Sequence, residues 1–260
     1  MSTSAPTPPA PAPTPPTPPT RVPAPAAAAP TPAATPATAL TVAGLAKMID
    51  HSLLLPTMTT HDIERGCEVA ARLQVASVCA RPCDVPLVKR LLTGSGVAVC
   101  TVIGFPHGTS ATRVKAEETR VAIAQGAQEV DMVLNISRLL SGDVAEVEAD
   151  IRAVVEAAAG ATVKVILETA YLTDDEKILG CQAAERAGAA FVKTSTGFAA
   201  SGATVEDVRL MRATVSPHVQ VKAAGGIRTL DLLLELHAAG ATRFGATASA
   251  AMLEEMAHRH

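Results

Sequence analysis

No stretch of this chain offers the ~18 to 20 consecutive apolar residues that a bilayer-spanning helix needs. A secretory signal would show a basic start and a continuous apolar segment, and neither is present. The net charge is only −3, and the 22 basic side chains form no stripe, which argues against nucleic acid as a partner. The five cysteines (Cys67, Cys79, Cys83, Cys100 and Cys181) are odd in number, and three fall in apolar strand-like runs. Structural disulfides are therefore not expected, and a reducing cytoplasm fits best. Cys79 and Cys83 are near enough in sequence to share a metal, but no His/Cys set completes four ligands. No G-x-G-x-x-G opens a helix after the first strand, and no Walker loop occurs anywhere. With no Trp, one Tyr and four Phe, the core must be built from Ala, Val, Leu and Ile.

The first forty residues differ from the rest. They hold 14 of the 19 prolines, interleaved with Ala, Thr and Ser, and Arg21 is their one charge. Proline lacks a backbone donor and large apolar side chains are almost missing, so residues 1–40 are expected to form a disordered, polyproline-II-like leader. An inert leader or a Pro-rich docking arm both fit. Residues 41–260 are long enough for one large domain with a single core.

From Ala43 onward, short β-branched runs alternate with helical periodicity. Candidate strands are 47–52, 75–80, 97–103, 128–135, 163–169, 189–194, 219–224 and 241–246. Many lack polar alternation, as in Val97-Ala-Val-Cys-Thr-Val-Ile, which points to a parallel sheet covered on its faces. In 143–158, Val144, Val147, Ile151, Val154 and Val155 recur at helical spacing. Thr173 and Glu176 read as a capping box, and Thr204 as a cap ahead of first-turn acids. Four helices are predicted to end at Gly126, Gly160, Gly188 and Gly240, each followed by Ala and a strand. Eight strands at an average spacing of about 28 residues match the repeat of a (β/α)8 barrel, also called a TIM barrel, better than a doubly wound sheet.

In such a barrel the active site lies where the C-terminal strand ends converge. The polar residues gathered there are Asp50 with His51 and Ser52, Cys79, Asp131, Asn135, Glu168, Thr169, Lys193, Thr194, Ser195 and Lys222. Lys193 and Lys222 stand out, because each closes an apolar run and is followed by small residues and glycine. A strand-end lysine is costly to desolvate, and a partly neutral amine is what imine chemistry requires. Moving a lysine from ~10.4 to ~7 destabilises its charged form by about 4 to 5 kcal/mol. A second ammonium ~5 Å away supplies roughly 3 kcal/mol at an effective dielectric of ~20, and partial desolvation supplies the rest. That arithmetic leaves open which lysine is neutral. The plain alternative is that both lysines pair with acids such as Asp131 or Glu168. Gly197, Gly225 and Gly226 follow strands six and seven, where barrels commonly hold phosphate on backbone N–H groups. Thr229 is placed to cap the next helix, and Arg228 to assist the charge or merely meet solvent. The histidines form no metal set, and His107 reads as a loop residue.

Six ordered segments together carry a resemblance. They are Ile49-Asp-His-Ser-Leu-Leu, Ala76-Ser-Val-Cys-Ala-Arg-Pro-Cys83, Cys100-Thr-Val-Ile-Gly-Phe-Pro, Glu129-Val-Asp-Met-Val-Leu-Asn, Phe191-Val-Lys-Thr-Ser-Thr-Gly-Phe198 and Val221-Lys-Ala-Ala-Gly-Gly-Ile-Arg-Thr229. From about residue 47 to 256 the chain resembles the deoxyribose-phosphate aldolases, class I aldolases on a (β/α)8 barrel. The resemblance implies reversible cleavage of 2-deoxy-D-ribose 5-phosphate to glyceraldehyde 3-phosphate and acetaldehyde, within deoxyribonucleotide catabolism. It makes Lys193 the Schiff-base lysine and Lys222 the neighbouring cation, with Asp131 relaying protons and Asp50 supporting the polar network. It gives Thr196, Gly197, Gly225, Gly226, Thr247 and Ala248 to the substrate and its phosphate. It implies no metal and no organic cofactor, and a homodimer is frequent in the family. Two positions depart from the usual pattern. Leu55-Pro56 stands where Lys-Pro is common, and Thr247-Ala248 stands where two serines are usual. A preference for unphosphorylated aldehydes is therefore carried as an alternative, and a silent sugar-phosphate-binding barrel as another.

Overall fold

Short Val/Ile-rich runs separated by amphipathic helices can bury both faces of each strand only when the helices cover a parallel sheet. The chain does this in closed form, as seen in a computed structural model that describes residues 40–259. The expected leader, residues 1–40, lies outside the described residues save for Leu40. Eight strands follow in order: β1 (Ile49–Leu53), β2 (Ser77–Ala80), β3 (Ala98–Ile103), β4 (Glu129–Val133), β5 (Thr162–Ile166), β6 (Phe191–Lys193), β7 (Gln220–Ala224) and β8 (Arg243–Ala246). All pair in parallel with their sequence neighbours, and β8 pairs with β1 to close the barrel. This is the (β/α)8 architecture expected from the strand rhythm.

The ten α-helices among the described residues are α1 (Val42–Ala46), α2 (Thr60–Leu73), α3 (Val85–Leu92), α4 (Thr112–Ala124), α5 (Ile136–Leu140), α6 (Val144–Ala157), α7 (Asp174–Arg186), α8 (Val205–Thr214), α9 (Leu230–Ala238) and α10 (Ser249–His258). The local signals act as the sequence indicates. Thr173 and Glu176 form the reciprocal capping box of α7, and Thr204 and Thr229 cap α8 and α9 through their side chains. Gly126, Gly160, Gly188 and Gly240 all have positive φ, which turns the chain out of each helix and into the next strand. On α6, Val147, Ile151 and Val154 are fully buried, while Val144 and Val155 pack at the margin.

Several strands end earlier than expected. β4 stops at Val133 because Asn135 caps α5, accepting from the N–H of Arg138. β5 stops at Ile166, and Glu168 then adopts a left-handed conformation that no ladder tolerates. Lys47 and Met48 belong to the turn after α1 rather than to β1.

One ion pair is fully enclosed between the helices and the sheet. Lys115 of α4 donates to Asp150 of α6 at 2.6 Å and to the Val133 carbonyl at 2.9 Å, and neither side chain reaches solvent appreciably. Replacing Lys115 with Met strands the Asp150 carboxylate in an apolar layer. The expected loss of stability is about 3 to 5 kcal/mol, read from the urea midpoint at unchanged m-value.

Candidate active site

Alternation along each strand decides which side chains enter the barrel, and the closed register brings them to a common level. Asp131 lies beside Lys164 in the β4–β5 ladder, and Lys193 beside Lys222 in the β6–β7 ladder. Asp50 enters from β1, while Glu129 and Arg243 enter at the starts of β4 and β8. The interior of this barrel is therefore a charged cluster rather than the usual layers of branched aliphatics.

Asp131 is its centre. Oδ2 accepts from Lys193 Nζ at 2.8 Å and from Lys222 Nζ at 2.7 Å, and Oδ1 accepts from Lys164 Nζ at 2.8 Å. Lys222 also donates to Asp50 Oδ2. Lys164 also donates to Glu129 at 2.5 Å. Arg243 joins Asp50 at 2.7 Å to Glu129 at 3.2 Å and covers the Phe191 ring, 5.5 Å from its centroid.

Burial alone would raise the pKa of Asp131, but Lys164, Lys193 and Lys222 outweigh it and hold the carboxyl well below its ordinary range. Asp50 behaves in the same way: burial opposes ionisation, and Lys222, Lys164 and Arg243 override it. For Lys222, burial works against the charged form, yet Asp131 and Asp50 lift its pKa above the usual lysine value. Lys164 is likewise held charged against burial, chiefly by Asp131. The pairing of both strand-end lysines with Asp131 is thus real, whereas Glu168 touches neither of them.

Lys164, Glu129 and Arg243 were not singled out by sequence reasoning. Lys164 sits in Thr162-Val-Lys-Val-Ile, where its neighbours read as an apolar strand. The available signal was a lysine interrupting a strand buried on both faces, since such a charge must find an anion inside. Arg243 and Glu129 open their strands and gave no comparable signal.

The thiols Cys79 and Cys100 lie side by side in the β2–β3 ladder. Cys100 Sγ is 3.4 Å from Asp131 Oδ1. Cys79, Cys100 and Asp131 are close enough to hold an ion, whereas Cys83 is exposed and apart from them. Both Asp131 oxygens are already engaged by ammonium groups, so the set reads as a hydrogen-bonded wall of the lysine cluster. His51 points outward from β1 and shares a hydrogen bond with Ser249 at 2.9 Å, and His107 is exposed in the loop after β3.

Above the cluster lies a cradle of backbone. Gly197, Gly225 and Gly226 all have positive φ, and among the described residues their N–H groups have no protein acceptor. A Cβ on Gly225 would lie 3.0 Å from Gly202 Cα, 3.3 Å from Ser195 Cβ and 3.5 Å from Gly197 Cα, so only glycine permits this approach. Across from them, Ala248 stands at the N-cap of α10 without a side-chain cap, leaving that helix's first N–H groups open beside exposed Thr247. Thr196, expected to meet the substrate, has its own donors engaged within the protein. Its N–H and Oγ1 both donate to Glu168, which leaves it no free donor. Arg228 is exposed beside the cradle.

Buried lysines around one carboxylate thus open on a cradle of N–H groups that have no protein acceptor among the described residues. Comparison with known proteins points the same way. Residues 45–253 match the family model described as DeoC/LacD family aldolase. The chain is 54% identical over 211 residues to a deoxyribose-phosphate aldolase of Clostridium perfringens (strain SM101 / Type A), covering 81% of this chain and 94% of that one. It is 53% identical over 210 residues to a deoxyribose-phosphate aldolase of Streptococcus gordonii, covering 81% and 96%. The tetrameric deoxyribose phosphate aldolase structure from Aeropyrum pernix is similar with a TM-score of 0.78 at 31% identity, covering 85% of this chain and 94% of that one.

Proposed function

The chain belongs to the DeoC/LacD family of aldolases, and on that premise we propose that it cleaves 2-deoxy-D-ribose 5-phosphate reversibly through an imine on Lys193. The products are D-glyceraldehyde 3-phosphate and acetaldehyde. The observation that carries this reading is the imbalance of the buried cluster. Four cationic side chains, Lys164, Lys193, Lys222 and Arg243, face three carboxylates, Asp50, Glu129 and Asp131. The cluster becomes neutral when one cation gives up its proton. Arginine does not; Lys164 is tied to three carboxylates and Lys222 to two, and both lysines are held charged. Lys193 has a single carboxylate partner, shares it with Lys222, and ends its strand at the mouth.

The neutral Lys193 amine attacks the C1 aldehyde of the open-chain sugar, and loss of water leaves an iminium. As the C2–C3 bond breaks, its electrons move toward the iminium nitrogen, the C3 hydroxyl loses its proton, and glyceraldehyde 3-phosphate departs. The remaining enamine takes a proton at C2, and water releases acetaldehyde and the free amine. Asp131 Oδ2 touches both Lys193 and Lys222, so one carboxylate oxygen can pass a proton between the nitrogens. Asp50 holds Lys222 in place from the other side. The 5-phosphate is assigned to the N–H groups of Gly197, Gly225 and Gly226 and to the start of α10 at Thr247 and Ala248, where a helix N-terminus favours an anion.

Borohydride trapping with deoxyribose 5-phosphate, followed by peptide mass mapping, tests this. The expected result is a reduced adduct on Lys193 with release of acetaldehyde. An adduct on Lys222 reverses the two lysines, and no adduct with no acetaldehyde removes the aldolase reading for this substrate. Five free thiols favour a reducing cytoplasm. No helix among the described residues is long and apolar enough to cross a membrane. On the family resemblance we also propose a homodimer, which sedimentation of the full chain separates from a monomer or a tetramer.

A further inference from the structure

Three non-glycine residues among those described have positive φ: Gln74, Ala159 and Glu168. Gln74 and Ala159 are exposed and follow helix C-termini, where a left-handed residue has a local cause. Glu168 is different. It lies just beyond β5, is 2% exposed, and has φ 58° and ψ 65°. Strain of this kind persists only where the surroundings enforce it, and it clusters at functional positions.

The enforcing contacts are specific. The Glu168 carboxylate accepts from the Thr196 N–H, 3.3 Å to each oxygen, and from the Thr196 hydroxyl. Thr196 Oγ1 in turn accepts from the Phe198 N–H at 3.0 Å. The Phe198 ring then packs edge-on against Phe105, with centroids 5.3 Å apart. These contacts bracket Gly197 on both sides, and Gly197 sits against Gly225 in the cradle. Among the described residues, no Lys, Arg or His nitrogen forms an ion pair with Glu168. A buried carboxylate with only neutral donors is expensive, and here its donors all belong to the turn after Lys193.

We propose that Glu168 is a positioning residue of the phosphate cradle: through Thr196 it fixes the turn that aims the Gly197 N–H at the substrate's phosphate. This deepens the aldolase reading and rests on it. The carboxylate faces Thr196, so its charge is spent on that N–H and hydroxyl rather than set against the phosphate. The left-handed backbone at 168 turns the side chain across to Thr196, in the turn after β6.

The test is steady-state kinetics of the full chain carrying Glu168→Ala, Glu168→Gln or Thr196→Val. Each variant is assayed with 2-deoxy-D-ribose 5-phosphate and with unphosphorylated 2-deoxy-D-ribose, and its melting temperature is recorded. For Glu168→Ala, KM for the phosphorylated sugar is expected to rise roughly tenfold while kcat stays within about threefold. The preference for the phosphorylated sugar in kcat/KM falls by the same factor. Glu168→Gln recovers most of the loss, because its amide oxygen still accepts from the Thr196 N–H. Thr196→Val breaks the link to Phe198 with Glu168 intact and reproduces the KM effect, which keeps the test alive if Glu168→Ala does not fold. Equal losses on both sugars, or a loss carried by kcat alone, overturn the proposal. A parent enzyme that does not distinguish the two sugars also overturns it, since there is then no cradle to position. A borohydride adduct on Lys193 in that same parent would leave the imine reading standing, so the two failures are told apart.

Discussion

Lys193→Met is expected to lower kcat/KM for deoxyribose 5-phosphate by at least ~10⁴, about 5.5 kcal/mol of transition-state stabilisation. In the mechanism proposed above the Lys193 amine forms the covalent bond to the substrate, so its loss would remove a step rather than weaken one. Met approximates the volume and flexibility of the lysine stem, which limits the cavity cost. The charge count predicts a second result. Without Lys193, three cations (Lys164, Lys222 and Arg243) face three carboxylates, and the barrel interior is balanced. The variant should therefore fold with a denaturation midpoint close to the parent's. A large drop in both activity and stability would show that Lys193 is one more structural cation in the cluster, and would undo its assignment as the nucleophile.

Asp131→Asn is expected to damage both properties. Its two oxygens accept from three lysine nitrogens, and the amide that replaces them is neutral and presents one NH2 that cannot accept. Even with Lys193 neutral, the three cations Lys164, Lys222 and Arg243 would then face two carboxylates in a site where Lys164, Lys222 and Asp50 are buried. The expected cost is about 3 to 5 kcal/mol at neutral pH, with at least a ~10³-fold loss of kcat/KM because the oxygen shared by Lys193 and Lys222 is gone. The pH dependence has a definite sign. The folded pKa of Asp131 is depressed, so its contribution is complete above the unfolded value of ~3.9 and is lost as pH falls through the folded value. The gap between parent and variant should be constant across neutral pH and narrow only in strong acid. Urea titrations at a series of pH values measure it. A gap that closes already between neutrality and mild acid would contradict the ion-pair account.

The alternation of apolar runs with helical patterns determined the barrel, because a strand with no polar face has to be covered on both sides. Helix ends were equally legible, since a cap or a left-handed glycine acts within three or four residues and needs no distant partner. Lys193 and Lys222 stood out for the same kind of reason, each being a charge closing an apolar run. Lys164 did not, although it lies in a run of the same character, because its meaning depends on Asp131, 33 positions earlier. Glu168 and Thr196 were visible as residues, but the hydrogen bonds that set Thr196's orientation join the loops after β5 and β6 across 28 positions. Sequence by itself settled what local propensity and burial period control: the eight βα units, their caps and which strand ends carry polar groups. Only the closed register decided which charge meets which, since whether a buried lysine is held charged depends on the number of carboxylates within about 3 Å, a quantity set by strands far apart in the chain.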